Sequence, residues 1–285
     1  MHRIPHLFFT IMLILLSAGC ISADSPKAED TGIRLLTPAD PFSIFDGQAT
    51  CAEIIGKDSP GAPANYSLAI ITIQAGNATP PHRLLGSTEL LHVIGGEATI
   101  RCDNSTLTAR MGETVILPEG ALQSIAAAGD DDLRYIDVVQ PPFTPAIEVP
   151  GDDLAATDGR PIVIPDPGQG IEWDYGTVMI YTLANPVLMP EMDLPIGYSL
   201  AYAELQTDGS VGYNRLNGSS EVIYVIHGEV EVFWPENGSI LVPAGSAAYI
   251  PSDQVKNYRN AAESTSAILS FVDPAWTEEK TEMLE

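Results

Sequence analysis

Basic residues are scarce in this sequence. Its 285 residues include 13 Lys and Arg against 38 Asp and Glu, which gives a formal net charge of −25 at pH 7. Nucleic acids and anionic lipid head groups repel such a chain, so we expect no nucleic-acid partner. The acidic residues are spread along the sequence, a pattern typical of a soluble surface and not of a binding patch.

Long apolar runs are also absent, apart from one short segment near the beginning. Residues 7–16 are nearly all apolar and follow the basic Arg3. A helix needs about 20 apolar residues to cross a bilayer, so this segment is too short to span one. Its length and its basic start are typical of a signal peptide, which we place at residues 1–19.

The residues after this segment indicate a lipid anchor. Ser17-Ala18-Gly19-Cys20 resembles a lipoprotein signal, in which the cysteine carries the lipid, although Leu16 stands four residues before the cysteine where the usual motif has three. We predict a flexible tether at 20–32 and an extracytoplasmic protein of the cell envelope, bound to the membrane surface through Cys20. Ordinary secretion and an uncleaved anchor are the alternatives.

Cysteine is rare, with three residues in the chain. With Cys20 assigned to the lipid, Cys51 and Cys102 remain, both in strand-like runs. In an oxidising compartment they can form a disulfide, or they can be two buried free thiols. The spacing does not choose between these two states.

Asparagine-linked glycosylation sequons are unexpectedly frequent. Five of the nine asparagines stand in Asn-X-Ser/Thr sequences, which predicts a glycosylated envelope protein. The alternative is that turns favour Asn and Ser for conformational reasons. The five candidate sites are Asn65, Asn77, Asn104, Asn217 and Asn237.

The chain contains an internal repeat. Residues 82–97 recur without gaps at 214–229, an offset of 132 positions, which indicates a duplicated unit. Nine residues of the first copy are identical in the second, namely Arg83, Leu84, Gly86, Ser87, Glu89, Val93, Ile94, Gly96 and Glu97.

Short apolar runs separated by Gly, Pro, Asn and Asp predict an all-β protein. We expect one domain at 33–147, a linker at 148–160, a second domain at 161–276 and a C-terminal tail at 277–285. The predicted strands of the first domain are 69–73, 90–94, 98–101, 114–117 and 133–139, and those of the second are 178–181, 200–205, 222–226, 230–234, 248–250 and 267–272.

The spacing of the repeat resembles the cupin family. Gly76-x5-His82-x-Leu84-x4-Glu89-x6-Gly96 is similar to the first cupin motif, and Gly112-x5-Pro118-x-Gly120-x2-Gln123 to the second. The second copy keeps the frame, with Glu221 at the place of Glu89 and Lys256 at the place of Gln123. The resemblance implies a bicupin, that is, two tandem cupin barrels of the double-stranded β-helix or jelly-roll type.

The copies depart from the cupin pattern where a metal would bind. The four ligand positions of metal-binding cupins fall on His82, Leu84, Glu89 and Gln123 in the first copy and on Asn214, Leu216, Glu221 and Lys256 in the second. Leucine cannot ligate, and a lysine opposes a cation by charge. We therefore expect no metal and no other cofactor; a divalent transition metal at His82, Glu89 and Gln123 is the alternative.

These residues lead to two functional hypotheses. We expect Glu221 and Lys256 to pair inside the second barrel, because a buried carboxylate needs a partner. His82, Glu89 and Gln123 would form a metal-free hydrogen-bonded cluster, either structural or the polar floor of a ligand pocket. The first hypothesis is a non-catalytic lipoprotein that binds a small molecule or sugar through these five residues. The second is a cupin enzyme of isomerase or dioxygenase type that uses the first barrel, where His82 and Glu89 are an acid–base candidate.

Overall fold

The computed structural model describes residues 32–57, 59, 64–151, 157, 159–165, 167–235 and 238–284. The predicted signal peptide, Cys20, nearly all of the tether and Asn237 lie outside these residues. In the described part, 24 strands and four short 3-10 turns make up the regular structure, which confirms the all-β prediction. No helix in that part has the length and apolar character needed to cross a membrane.

The two halves repeat the same series of strands. The first half contains β1 (Arg34–Leu36), β2 (Phe42–Ile44), β3 (Ala49–Ile55), β4 (Ser67–Ile73), β5 (His82–Leu84), β6 (Thr88–Gly95), β7 (Glu97–Cys102), β8 (Ser105–Arg110), β9 (Thr114–Leu117), β10 (Gln123–Ala128), β11 (Leu133–Gln140) and β12 (Glu148–Pro150). The second half contains β13 (Ile162–Ile164), β14 (Ile171–Asp174), β15 (Val178–Ala184), β16 (Ser199–Leu205), β17 (Asn214–Leu216), β18 (Ser220–His227), β19 (Glu229–Trp234), β20 (Gly238–Pro243), β21 (Ala247–Ile250), β22 (Asn257–Asn260), β23 (Ser266–Asp273) and β24 (Thr281–Met283). The 3-10 turns are Phe45–Gly47, Pro167–Gln169, Pro190–Met192 and Glu278–Lys280.

Each half builds a barrel with two walls, in which the strand pairs are antiparallel. In the first barrel, a sheet of order β13-β9-β6-β11-β4-β3-β2 faces a sheet of order β12-β5-β10-β7-β8. In the second, the large sheet has the order β1-β21-β18-β23-β16-β15-β14, and two small sheets, β20-β19-β22 and β17-β24, form the other wall. Every strand predicted from the sequence lies within or overlaps one of these.

The first strand of each half belongs to the other half's barrel. Strand β1 pairs with β21, with Arg34 opposite Tyr249, and strand β13 pairs with β9, with Ile162 opposite Ile116. The ranges 33–147 and 161–276 therefore describe the repeat in the sequence, but each barrel takes one strand from outside its own range.

Two predicted connecting segments contain strands. Strand β12, inside the predicted linker 148–160, pairs with β5, and β24, inside the predicted tail 277–285, pairs with β17. The reason is that β5 and β17 have a free side, and buried backbone N–H and C=O groups require partners. The sheet structure of the two halves therefore extends beyond residues 147 and 276.

Three apolar cores hold the molecule together. Alternate residues of a strand point to opposite faces, so Leu91 and Val93 of β6 enter the first barrel while Leu90 faces outward. On β18, Ile223 lies inside the second barrel, whereas Tyr224 faces outward. The outward faces of both large sheets share one buried cluster, so the barrels are joined by a continuous core. Each aliphatic side chain fully buried there contributes about 1.5–3 kcal/mol.

The Gly-Gly or His-Gly turn after the central strand of each repeat requires its glycine. Gly96 has φ 74° and Gly228 has φ 78°, in the left-handed region. A Cβ at Gly96 would also clash with the backbone oxygen of Asp132. A side chain at Gly96 would therefore have to displace backbone, which explains why the repeat keeps glycine there.

Candidate functional site

The three residues predicted to cluster in the first barrel do so. His82 lies on β5, Glu89 on β6 and Gln123 at the start of β10, and all three are buried. Gln123 is the cross-strand partner of His82, and its amide nitrogen lies 3.2 Å from Nε2 of His82 while donating to Oε2 of Glu89. The cupin-like spacing thus places three polar side chains at one point of the barrel interior.

Two polar contacts hold the ring of His82 in place. Its Nδ1 lies 2.8 Å from the carbonyl oxygen of Pro80, so this nitrogen is the donor. Its Nε2 lies within hydrogen-bond distance of the amide nitrogen of Gln123. The His82 ring also contacts the ring of Phe45, with the two centroids 5.0 Å apart.

A fourth residue, Asp137, was missed by the sequence analysis. It lies on β11 beside β6, and its carboxyl group is hydrogen-bonded to that of Glu89. Burial, followed by the charge of Glu89 and the hydrogen bond to it, raises the pKa of Asp137 well above its ordinary value. Burial also raises the pKa of Glu89, against the opposing effects of His82 and of hydrogen bonds from Asp137 and Gln123.

These shifts assign one proton to the two carboxyl groups. Two ionised carboxylates in contact repel each other, so one must hold a proton. Asp137 is the protonated partner, because the charge of Glu89 raises its pKa while its own hydrogen bond lowers that of Glu89. Its Oδ1 is buried and has no hydrogen-bond partner among the described residues. A polar residue at an inward position of β11, between Tyr135 and Val139, was the signal that could have found it.

The cluster opens into a wide cavity. A space of about 770 Å³ in the first barrel is bordered by His82, Glu89 and Asp137. Among the remaining described lining residues, aromatic and apolar side chains predominate. Ser, Thr and Cys side chains and further acidic groups are also present, and Lys57 is the one Lys or Arg. The aromatic and charged members are Phe42, Phe45, Glu53, Lys57, Tyr135, Phe143 and Glu148.

The second barrel contains the predicted ion pair. Nζ of Lys256 lies 3.2 Å from Oε2 of Glu221, and both side chains are almost completely buried. The ammonium also donates to Oδ1 of Asn214 at 2.5 Å and lies 5.8 Å from the ring centroid of Tyr258. Lys256 is the cross-strand partner of Asn214, just as Gln123 is of His82.

Two further residues in the second barrel complete the contacts of Glu221. Its Oε1 accepts from the hydroxyl of Tyr258 at 3.0 Å and from that of Ser270 at 2.7 Å. Ser270 occupies the place that Asp137 has in the first barrel. The adjoining cavity measures about 90 Å³, so this interior is nearly filled by its own side chains.

The donor sets of both barrels do not fit the metal that the cupin fold often holds. Leu84 and Leu216 are buried at positions where a ligand would be needed. The amide of Gln123 turns N–H groups toward Glu89 and His82, and Lys256 places a positive charge beside Glu221. Within the described residues, no group of three or more His, Cys, Asp and Glu side chains is arranged to hold an ion.

The remaining predicted site residues lie apart from this cluster. Cys51, which borders the cavity, and the buried Cys102 are both free, so the disulfide alternative is not realised. Burial, Asp137 and Glu53 raise the pKa of the Cys51 thiol to about 12, and burial, Asp103 and Glu89 raise that of Cys102 to about 11. Among the sequon residues, Asn65, Asn104 and Asn217 are exposed and Asn77 is half-buried.

Comparison with known proteins identifies the fold. No protein-family model matches the chain, and no curated protein matches it. Among solved structures it is similar to a 7S globulin of Momordica charantia, with a TM-score of 0.66, 14% identity, and coverage of 86% of this chain and 84% of that one. An oxalate decarboxylase of Lactobacillus farciminis in a formate complex gives a TM-score of 0.67, 14% identity and 88% coverage of both chains.

A third similar structure is the oxalate decarboxylase of Bacillus subtilis. It gives a TM-score of 0.66 at 12% identity and covers 90% of this chain and 81% of that one. Together with the two jelly-roll barrels, these likenesses show that the chain has the bicupin fold. Globulins and decarboxylases share this fold, so it does not choose between a binding protein and an enzyme.

Proposed function

We propose that this bicupin is a non-catalytic binding protein that takes a small molecule into its first barrel. The observation that carries the proposal is the contrast between the barrels. The first places His82, Glu89 and Asp137 on a cavity of about 770 Å³, whereas the second fills the same position with its own ion pair and leaves about 90 Å³. A wide, mostly apolar cavity with a few convergent polar groups is the usual form of a ligand site.

One observation favours a second candidate, an acid–base enzyme. The carboxyl groups of Asp137 and Glu89 and the imidazole of His82 meet in the interior of the first barrel, and such groups can donate and accept protons. Isomerisation by proton transfer uses groups of this kind. Binding without turnover ranks first, because the same hydrogen bonds also serve to satisfy buried polar groups that line a pocket.

Binding should be tested on the full chain with two substitutions in the first barrel. A thermal-shift screen of sugars, amides, amines and carboxylates is followed by titration calorimetry on each hit. His82→Ala and Glu89→Gln should each weaken a genuine ligand by about tenfold or more, since a lost hydrogen bond to a charged group costs about 1.5–3 kcal/mol.

The matched control is Glu172→Gln, at an exposed position on β14 of the second barrel. It should leave binding unchanged. Ligands whose affinity is insensitive to His82→Ala and Glu89→Gln would contradict the proposed site, and chemical conversion of a hit would favour the enzyme.

We infer further that the protein is lipid-anchored at the cell envelope through Cys20 and carries N-linked glycans. The signal-like segment supports the anchor, and the exposed side chains of Asn104 and Asn217 support access by a glycosylating enzyme. Asn65 is less favourable, because its Nδ2 donates to Asp273 at 2.9 Å. Cys20→Ser should release the protein from membranes or block its processing. Membrane association and mass that do not change in this variant would contradict the anchor, and native-protein mass spectrometry without glycans would contradict the second inference.

A further inference from the structure

The second barrel contains a buried carboxylate together with the groups that surround its cationic partner. Glu221 is a buried carboxylate, and the chain places the ammonium of Lys256 3.2 Å from it. The ammonium also has the amide oxygen of Asn214 at 2.5 Å and the ring of Tyr258 at 5.8 Å. A carboxylate, a neutral oxygen acceptor and an aromatic ring are the parts of an ammonium-binding site, and Lys256 is its built-in occupant.

The first barrel has the same frame with a neutral amide in that place. Gln123 stands where Lys256 does, with the corresponding cross-strand pairing. Its amide nitrogen meets Glu89 and His82 as Nζ meets Glu221 and Asn214, but it carries no charge. A buried carboxylate with no counter-charge is costly, and a ligand cation would remove that cost.

The surroundings of Glu89 also favour a cation. Glu53 and Glu148 border the same cavity, and Oδ1 of Asp137 is buried without a hydrogen-bond partner in the described structure. Lys57 is the one Lys or Arg among the described lining residues, and it is exposed. An anionic ligand would therefore meet more negative than positive groups, whereas an ammonium would find acceptors.

The shape of the cavity indicates what is attached to the cation. Its volume of about 770 Å³ is far larger than an ammonium group requires. Phe42, Phe45, Tyr135 and Phe143 supply aromatic surface on its walls. Aromatic rings favour both apolar groups and cations at their faces.

We propose that the first barrel binds an organic ammonium, a primary amine on an apolar or aromatic body, whose charge serves Glu89 as that of Lys256 serves Glu221 in the second barrel. The inference rests on the proposed binding function and adds the class of ligand. Because the amide nitrogen of Gln123 already fills the place of Nζ, the ammonium donates to Glu89 and to Oδ1 of Asp137 from the side of the cavity. The body of the amine lies among the aromatic walls.

The test uses the full chain and matched probes. Primary amines from butylamine to 2-phenylethylamine are each compared by titration calorimetry with the alcohol and the carboxylate of the same skeleton. At least one amine should bind about tenfold or more tightly than its alcohol, and its carboxylate should bind more weakly still.

The decisive variant is Gln123→Lys, which copies the solution of the second barrel into the first. It supplies the ammonium from the protein, so amine affinity should fall about tenfold or more while the thermal unfolding temperature is kept or raised. Asp137→Ser, which introduces the residue found at the equivalent position, Ser270, is a second variant. It should lower the affinity for the amine by a smaller factor. Glu172→Gln should change affinity by less than about twofold.

The outcomes separate this inference from the proposed function. One contrary result is that alcohols or carboxylates bind as tightly as the amines and lose their affinity in His82→Ala. That result would refute the preference for an ammonium but would still support a small-molecule site in the first barrel. Amine binding that survives in a folded Gln123→Lys variant would overturn the pairing of the amine with Glu89. If no member of any series binds while the wider screen yields a ligand that is lost in His82→Ala, the ammonium inference fails and the binding function stands.

Discussion

A lysine and a glutamine at equivalent positions give the two barrels different chemistry. Lys256 pairs with Glu221 within the second barrel, where Tyr258 and Ser270 also donate to this carboxylate. Gln123 donates to Glu89 but brings no positive charge. The lysine therefore supplies a counter-charge that the glutamine does not.

The ion pair predicts a marked asymmetry among variants of the second barrel. Removing one partner of a buried pair costs about 3–5 kcal/mol, because the other charge is left uncompensated. Lys256→Met should therefore lower the free energy of unfolding by about that amount, measured by urea denaturation. Adding Glu221→Gln to Lys256→Met should recover part of the loss. If Lys256→Met costs no more than Lys57→Met at an exposed site, the pair does not stabilise the barrel.

The carboxyl pair of the first barrel predicts a pH dependence of stability. The pKa of Asp137 is raised by burial and by Glu89, so the folded chain holds this proton at pH values where the unfolded chain has released it. The resulting stability is fully present below the ordinary pKa of 3.8 and is lost as pH rises toward the higher folded value.

Asp137→Asn should remove this dependence. The amide keeps a donor toward Glu89 and cannot ionise, so the variant should gain stability relative to the parent as pH rises, with about 2–4 °C in Tm for each kcal/mol. Thermal unfolding from about pH 4 to pH 8 measures the effect, with Asp131→Asn on an exposed loop as control. Parallel pH profiles for parent and Asp137→Asn would exclude a shared proton.

Short strands exchanged between the barrels join the two halves of the chain. Strand β13 belongs to the second half of the sequence but completes the sheet of the first barrel beside β9. Ile164 on β13 is buried in the core between the barrels, whereas Val163 on the same strand is 42% exposed. One face of β13 is therefore buried and the other is exposed. The adjacent residues Ile164 and Val163 provide a matched comparison of the two faces.

Ile164→Ala should destabilise the first barrel, although its position is in the second half of the chain. Truncating a buried isoleucine to alanine costs about 2–5 kcal/mol, while Val163→Ala should cost well under that. Hydrogen exchange should show faster exchange at β9 (Thr114–Leu117) in Ile164→Ala. Faster exchange confined to β21 would mean that β13 does not support the first barrel.

The parts of the fold that have local signals in the sequence could be predicted from it. The apolar runs predicted the central strands, and the resemblance of the repeat to the cupin motifs implied two jelly-roll barrels. The three-residue strands β1, β13 and β24 carry little periodicity, and their partners lie far away in sequence, so their pairing could not be inferred.

The site was predictable to a similar degree. His82, Glu89 and Gln123 were found because a family spacing names them, and Glu221 with Lys256 because the repeat transfers it. Asp137 and Ser270 lie on strands that follow the motifs, and their contacts with Glu89 and Glu221 cross the sheet. Such contacts depend on strand register, which the motifs do not contain.

The reciprocal exchange of β1 and β13 also determines what a protease can accomplish. A cut between Gly151 and Gly159 would divide the chain into two fragments. Each fragment would still contribute one strand, β1 or β13, to the other fragment's barrel, and both would share the core between the barrels. The nicked molecule would run as one particle in solution and fall apart only under denaturing conditions. Proteolysis at this linker therefore cannot release the first barrel by itself, because its wall contains residues from both fragments.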